Sequence, residues 1–92
     1  MSWSVLQTRR FARAYKKLKN NVAADVDKAV ATIAANPSVG TLKKGDLAAL
    51  RVYKFRSGAQ MFLLGYTVEE TPRLIYLEAL GPYENFYRDI KR

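Results

Sequence analysis

Between residues 50 and 80 the chain carries three apolar segments, Leu50 to Phe55, Gln60 to Val68 and Arg73 to Leu80. The breaks between them, Arg56-Ser57-Gly58-Ala59 and Glu69-Glu70-Thr71-Pro72, contain turn residues and are short enough for antiparallel hairpins. This half of the chain therefore reads as a three-strand meander, and a sheet is stable only when another layer covers a face.

The first half supplies that layer. Ser2 to Gln7 alternates polar residues with Trp3 and Val5 and reads as a short strand, although Leu6 blurs the period. Thr8 then suits the N-cap of a helix over roughly Arg9 to Lys19, because its hydroxyl can accept from a free first-turn amide. Phe11, Tyr15 and Leu18 fall at i, i+4 and i+7 and form one apolar stripe. The other faces carry Arg9, Arg10, Arg13, Lys16, Lys17 and Lys19. Asn20-Asn21 breaks the run, and Val22, Val26, Ala29, Val30 and Ile33 mark a second, Ala-rich helix that Asn36-Pro37 ends. Ser38 to Asp46, with Gly40 and Gly45, reads as a loop. The order is strand, helix, helix, strand, strand, strand, an α+β layout with a helical hairpin on one face of the sheet. The other face must be covered or functional. At 92 residues, without repeat, low-complexity tract or linker, residues 1–92 are expected to form one domain.

Sixteen Lys and Arg against eight Asp and Glu give a net charge of +8, which points to a polyanionic or acidic protein partner if it is more than a solubilising surface. There is no Cys and no His. Disulfides, thiolate chemistry and zinc sites built on those residues are excluded, so any catalysis falls to Tyr, Lys, Arg or carboxylates. No apolar stretch approaches the roughly 20 residues needed to span a bilayer, and Met1-Ser2-Trp3-Ser4 lacks the basic start and apolar centre of a signal peptide. The expected location is the cytoplasm.

Alternation in Arg51-Val52-Tyr53-Lys54-Phe55-Arg56 puts Val52, Lys54 and Arg56 on one face and Arg51, Tyr53 and Phe55 on the other. If Tyr53 and Phe55 meet the helices, Lys54 and Arg56 lie on the open face, either as working cations or as its solvated surface. A second constellation follows the Gly81-Pro82 break, where Tyr83, Phe86, Tyr87 and Arg88 gather. A tyrosine hydroxyl, with an ordinary pKa of about 10, serves as a base only where cations stabilise its phenolate. Neighbouring Lys and Arg would supply that and would also hold a phosphodiester. The competing reading is that Phe86 and Tyr87 pack a helical turn on the sheet. Arg9, Arg13, Lys16 and Lys17, with Lys43 and Lys44 in the loop, suit a surface that tracks phosphates without reading sequence. Glu69, Glu70, Asp25 and Asp27 read as solvated acids, since no further ligands are spaced to converge with them, and no metal is expected. Gly40 and Gly45 have the spacing of a phosphate-binding loop, but Asp46 and not Lys follows.

The strand with Lys54 closed by Arg56-Ser57-Gly58, together with Gly81 to Tyr87, resembles the RelE/ParE superfamily of bacterial toxins. The likeness runs from Phe11, Tyr15 and Leu18 through Pro37 and Gly40 to Arg92. The ending Glu84-Asn85-Phe86-Tyr87-Arg88-Asp89 is similar to a ParE-like branch. The resemblance implies a type II toxin neutralised by a cognate antitoxin, with no cofactor. RelE-like members cleave messenger RNA in the ribosomal A site with strand lysines and arginines and a C-terminal tyrosine; ParE-like members inhibit DNA gyrase. Lys54, Arg56 and Tyr87 match the catalytic set. Tyr83, Arg88, Arg51 and Gln60 are then the candidates for holding substrate. Where RelE-like members have an arginine early in the next strand this chain has Gln60 or Met61, and Tyr83 stands where related tails often carry histidine or arginine.

Overall fold

The three apolar segments become β3 (Arg51–Ser57), β4 (Gln60–Glu69) and β5 (Leu74–Pro82) in the computed structural model, which describes residues 3–45 and 49–90. β3 and β4 pair antiparallel out to Ser57↔Gln60, so the turn is Gly58-Ala59 alone and the strand takes in Arg56 and Ser57. Gly58 sits at the first central position with φ +60°, a conformation that a type II′ hairpin turn asks of glycine. β4 and β5 are also antiparallel. β1 (Ser4–Gln7) joins the far side of β5 in parallel, from Ser4↔Leu74 to Gln7↔Leu77.

Three further expectations change. The segment read as a loop from Ser38 holds a 3₁₀ turn, Pro37–Val39, and a two-residue edge strand, β2 (Thr41–Leu42), paired with β3; both its residues are exposed, so no apolar alternation announced it. Asp46 lies outside the described residues. The first helix, α1, is Arg9–Lys16, and α2 is Asn20–Ala35, so the two asparagines open the second helix and Lys17 to Lys19 make the break. Finally, Gly81 and Pro82 are not a break after the strand but its last two paired residues, opposite Leu63 and Phe62. Pro82 is tolerated because β1 stops at the level of Leu77 and leaves this stretch of β5 an edge. The sheet order is β1-β5-β4-β3-β2.

Thr8 caps α1 as its hydroxyl allows, accepting from the Phe11 amide at 3.2 Å and donating to the Glu78 carbonyl at 3.1 Å. α1 and α2 cover one face of the sheet. Phe11, Val26, Ala29 and Ile33 bury against Leu64, Tyr66, Ile75 and Leu77, with Tyr53 and Phe55 at the margin of the same core. A third helix, α3 (Tyr83–Ile90), crosses the opposite face and sets Phe86 among Leu50, Val52, Leu63 and Ala79. Gly65, beside the bulge where β5 carries the extra residue Glu78, permits that approach: a Cβ there would lie 3.0 Å from Phe86 Cζ and 3.3 Å from Leu50 Cδ1. Among the described residues no helix is long and apolar enough to cross a membrane.

Candidate functional site

The pleat of β3 sends Val52 under α3 and leaves Lys54, one pleat further on, exposed on the same face. α3 walls this stretch of sheet on one side and residues 39–43 wall it on the other. The cleft between them measures about 480 Å³, and its lining includes Thr41, Lys43, Lys54, Leu63, Tyr83 and Tyr87. Lys54 Nζ stands 5.7 Å from the Tyr83 ring centroid and Lys43 Nζ 5.3 Å from that of Tyr87. At an exposed site such as Lys54–Tyr83 a cation–π contact contributes only about 0.5–1 kcal/mol, so it orients the side chains more than it stabilises the fold. The ammonium N–H groups stay available to an anion. Tyr83 is 54% exposed. Tyr87 is half-buried, set edge-on against Phe86 at 5.2 Å and 88°.

The second wall is held from below. The buried Tyr66 hydroxyl accepts from the Gly40 amide at 2.9 Å and donates to the Pro37 carbonyl at 2.7 Å, while Arg51 Nη1 donates to the Gly40 carbonyl at 3.0 Å. Burial raises the Tyr66 pKa above its ordinary value; the bond from Gly40 and the Arg51 charge oppose this only in part. The hydroxyl therefore stays a neutral donor. Gly40 has no special φ, but a Cβ there would lie 2.6 Å from Tyr66 Oη. The sequence reading did not single out Tyr66, and it took Gly40 as a loop glycine and a point of the family likeness without giving it a role in the site; a glycine three residues after the helix-ending Pro37 was the available signal.

Of the residues expected to act together, Lys54, Tyr83 and Tyr87 share the cleft, and Lys43 joins them from the group assigned to phosphate tracking. Arg56 is exposed on the cleft side of β3, opposite Met61 and beyond the lining. Arg51 lies on the other face, in the Gly40 bond already described. Gln60 is exposed at the hairpin and lines a separate groove. Arg88 is exposed on α3, donating to Asn85 Oδ1 at 2.9 Å. Arg9, Arg13, Lys16 and Lys17 are exposed on and just after α1, and Lys44 is exposed beside Lys43. Arg10 Nη1 donates to the Ile90 carbonyl at 3.4 Å, a cation at the C-terminal end of α3. Asp25 accepts from Ser57 Oγ at 2.7 Å and Asp27 from the Tyr15 hydroxyl at 2.8 Å, the latter bond raising the Tyr15 pKa. Among the described residues no group of three or more His, Cys, Asp or Glu could hold a metal ion.

Comparison with curated proteins yields no match. Solved structures with this fold include the RelBE2 toxin-antitoxin complex of Mycobacterium tuberculosis, at 18% identity and TM-score 0.78 over 89% of this chain and 99% of that one. The isolated E. coli RelE toxin matches at 18% identity and TM-score 0.71 over 98% and 97%. The intact E. coli RelBE complex matches at 16% identity and TM-score 0.73 over 86% and 94%. The model of one sequence family, the ParE-like toxin of type II bacterial toxin-antitoxin systems, matches residues 5–91. With that match spanning nearly the whole chain, and with a fold shared with RelE toxins, the protein belongs to the ParE-like toxins of type II bacterial toxin-antitoxin systems.

Proposed function

We propose that this toxin stops growth by cleaving ribosome-bound messenger RNA in the cytoplasm, with the bond to be cut lying in the cleft between α3 and residues 39–43. The observation that carries the reading is the meeting of two lysines and two tyrosines, from three separate parts of the chain, in that cleft. Tyr87 serves as the base that takes the proton of a ribose 2′-hydroxyl. The 2′-oxygen bonds to the adjacent phosphorus, the bond from phosphorus to the 5′-oxygen breaks, and the leaving oxygen takes a proton from the Lys54 ammonium. Lys43 and Lys54, with Arg56 further along the strand, offset the charge that develops on the phosphate. Tyr83 offers its exposed ring to a base.

A second reading rests on the ParE-like family match: the same surface engages DNA gyrase and no bond is cut. Primer extension on ribosome-bound message, run beside a gyrase supercoiling assay on one preparation, separates the two. Cleavage without gyrase inhibition is expected; gyrase inhibition without cleavage overturns the nuclease reading. Either activity is held in check by a cognate antitoxin, as the RelBE complexes of like fold suggest. Its contact segment should be an amphipathic helix or extended strand with acidic residues, because covering so basic a surface demands opposite charge.

A further inference from the structure

Beyond Tyr83 the surface continues into a second and larger groove of about 800 Å³, between the turn joining α1 to α2 and the β3–β4 hairpin. Its walls are divided by chemistry. Leu18, Val22 and Met61 are half-buried and make an apolar floor, whereas Lys17 and Lys19 stand exposed on the rim with Asn21 and Gln60. Glu84 also lines the groove, beside Tyr83. That carboxylate repels a phosphate at the Tyr83 end and favours its placement toward Lys17 and Lys19. Tyr83 belongs to both depressions, so one exposed ring marks their junction.

We propose that this groove is a second subsite for single-stranded RNA: a nucleotide next to the one in the cleft lays its base on Leu18, Val22 and Met61 and its phosphate between Lys17 and Lys19, and the strand passes over Tyr83. The inference rests on the RNA reading of the cleft and extends it. An apolar floor beside paired cations matches the two halves of a nucleotide, and the shared tyrosine makes the groove continuous with the cleft. A duplex would not fit this use, because its bases are stacked inside and cannot splay onto the floor. An acidic peptide would satisfy the lysines but would leave the exposed ring of Tyr83 without a stacking partner.

The test compares non-cleavable 2′-O-methyl RNAs of two and six nucleotides, binding the full chain at low salt. Lys17→Ala/Lys19→Ala is the main variant. Lys19, at the N-cap of α2, makes no side-chain capping bond and both lysines are exposed, so the fold should survive, and melting temperature checks this. Lys19→Glu serves as a second variant. The parent should bind the longer RNA more tightly. The double variant should lose about tenfold of that gain and leave the dinucleotide unaffected, with the salt slope of the longer RNA falling by about 0.7, the value for the one phosphate held between the two lysines. A length gain that persists in both variants, or a parent that binds the dinucleotide with no gain, overturns the subsite and leaves the cleft reading standing. Absence of binding at either length overturns both. An acidic peptide that binds the parent, is lost from the double variant and competes with no RNA assigns the groove to a protein partner and also overturns the proposal.

Discussion

Two tyrosines of this toxin show how differently one side chain can be used. Tyr87 presents itself to a cleft with two lysines, and Tyr87→Phe keeps the ring that packs on Phe86 while removing the hydroxyl. Message cleavage should fall by about 10²-fold or more, the usual scale for a lost acid–base group, with little change in melting temperature. Lys54→Ala and Arg56→Ala should also lose activity at near-parental stability, since both side chains are exposed. Full cleavage by Tyr87→Phe would remove this residue from the mechanism. Tyr66 is the opposite case, fully buried with its hydroxyl committed to Pro37 and Gly40. Tyr66→Phe leaves both backbone groups unpaired and should cost about 1–3 kcal/mol at neutral pH. Its pKa is raised on folding, so the folded state holds the proton longer than the unfolded chain does. The parent should thus lose stability as pH climbs above the ordinary tyrosine value of about 10, through the raised folded-state value. The Phe variant should lose less over that window, measured by denaturant titration at stepped pH; an equal alkaline loss would refute this assignment.

The element on which the site depends is α3. Its anchor is Phe86, only 2% exposed, resting over Gly65 where a β-carbon has no room. Burying a side chain of this size stabilises by about 1.5–3 kcal/mol, enough to hold a two-turn helix that could not persist alone. Gly65→Ala pushes a methyl to within 3.0 Å of that ring and should lift the helix. A stability loss of about 1–3 kcal/mol is expected from such overpacking. Activity should fall further than stability, because Tyr83 and Tyr87 ride on the displaced helix while Lys43 and Lys54 stay behind. Activity that tracks the folded fraction alone would show the cleft to be insensitive to the helix position. The opposite wall obeys the same logic: Gly40 is required by the closeness of Tyr66 and not by its own backbone angles.

Taken whole, the molecule sets its acids and its cations to different work. Asp25 ties α2 to Ser57 of β3 and Asp27 ties α2 to Tyr15 of α1, while Arg9, Arg13 and Lys16 of α1, Lys44, and Lys54 and Arg56 of β3 stand exposed. Ribosome binding should therefore weaken steeply with salt, by about 0.7–0.9 in log affinity per log salt for each phosphate neutralised. Expression alone should arrest bacterial growth, and co-expression of the cognate antitoxin should restore it. Normal growth at confirmed soluble expression would argue that this copy has lost its toxicity.

The amino-acid sequence alone determined the local structure: the Thr8 cap, the apolar stripe Phe11-Tyr15-Leu18, the three long strands, and the alternation that put Lys54 and Arg56 opposite Tyr53 and Phe55. These follow from rules that act within a few residues, side-chain period and terminal hydrogen bonding, which one segment carries in itself. Tertiary structure decided which distant pieces meet. The parallel pairing of β1 with β5, the two-residue β2, the seating of α3 over Gly65 and the placing of Lys43 over Tyr87 carry no periodic signal. Each depends on how closely two backbones can approach and on which edge or face is left uncovered once the sheet has formed. For that reason both lysines were visible in the sequence as cations, but only the folded chain made Lys43 and Lys54 neighbours of the same tyrosine-lined cleft.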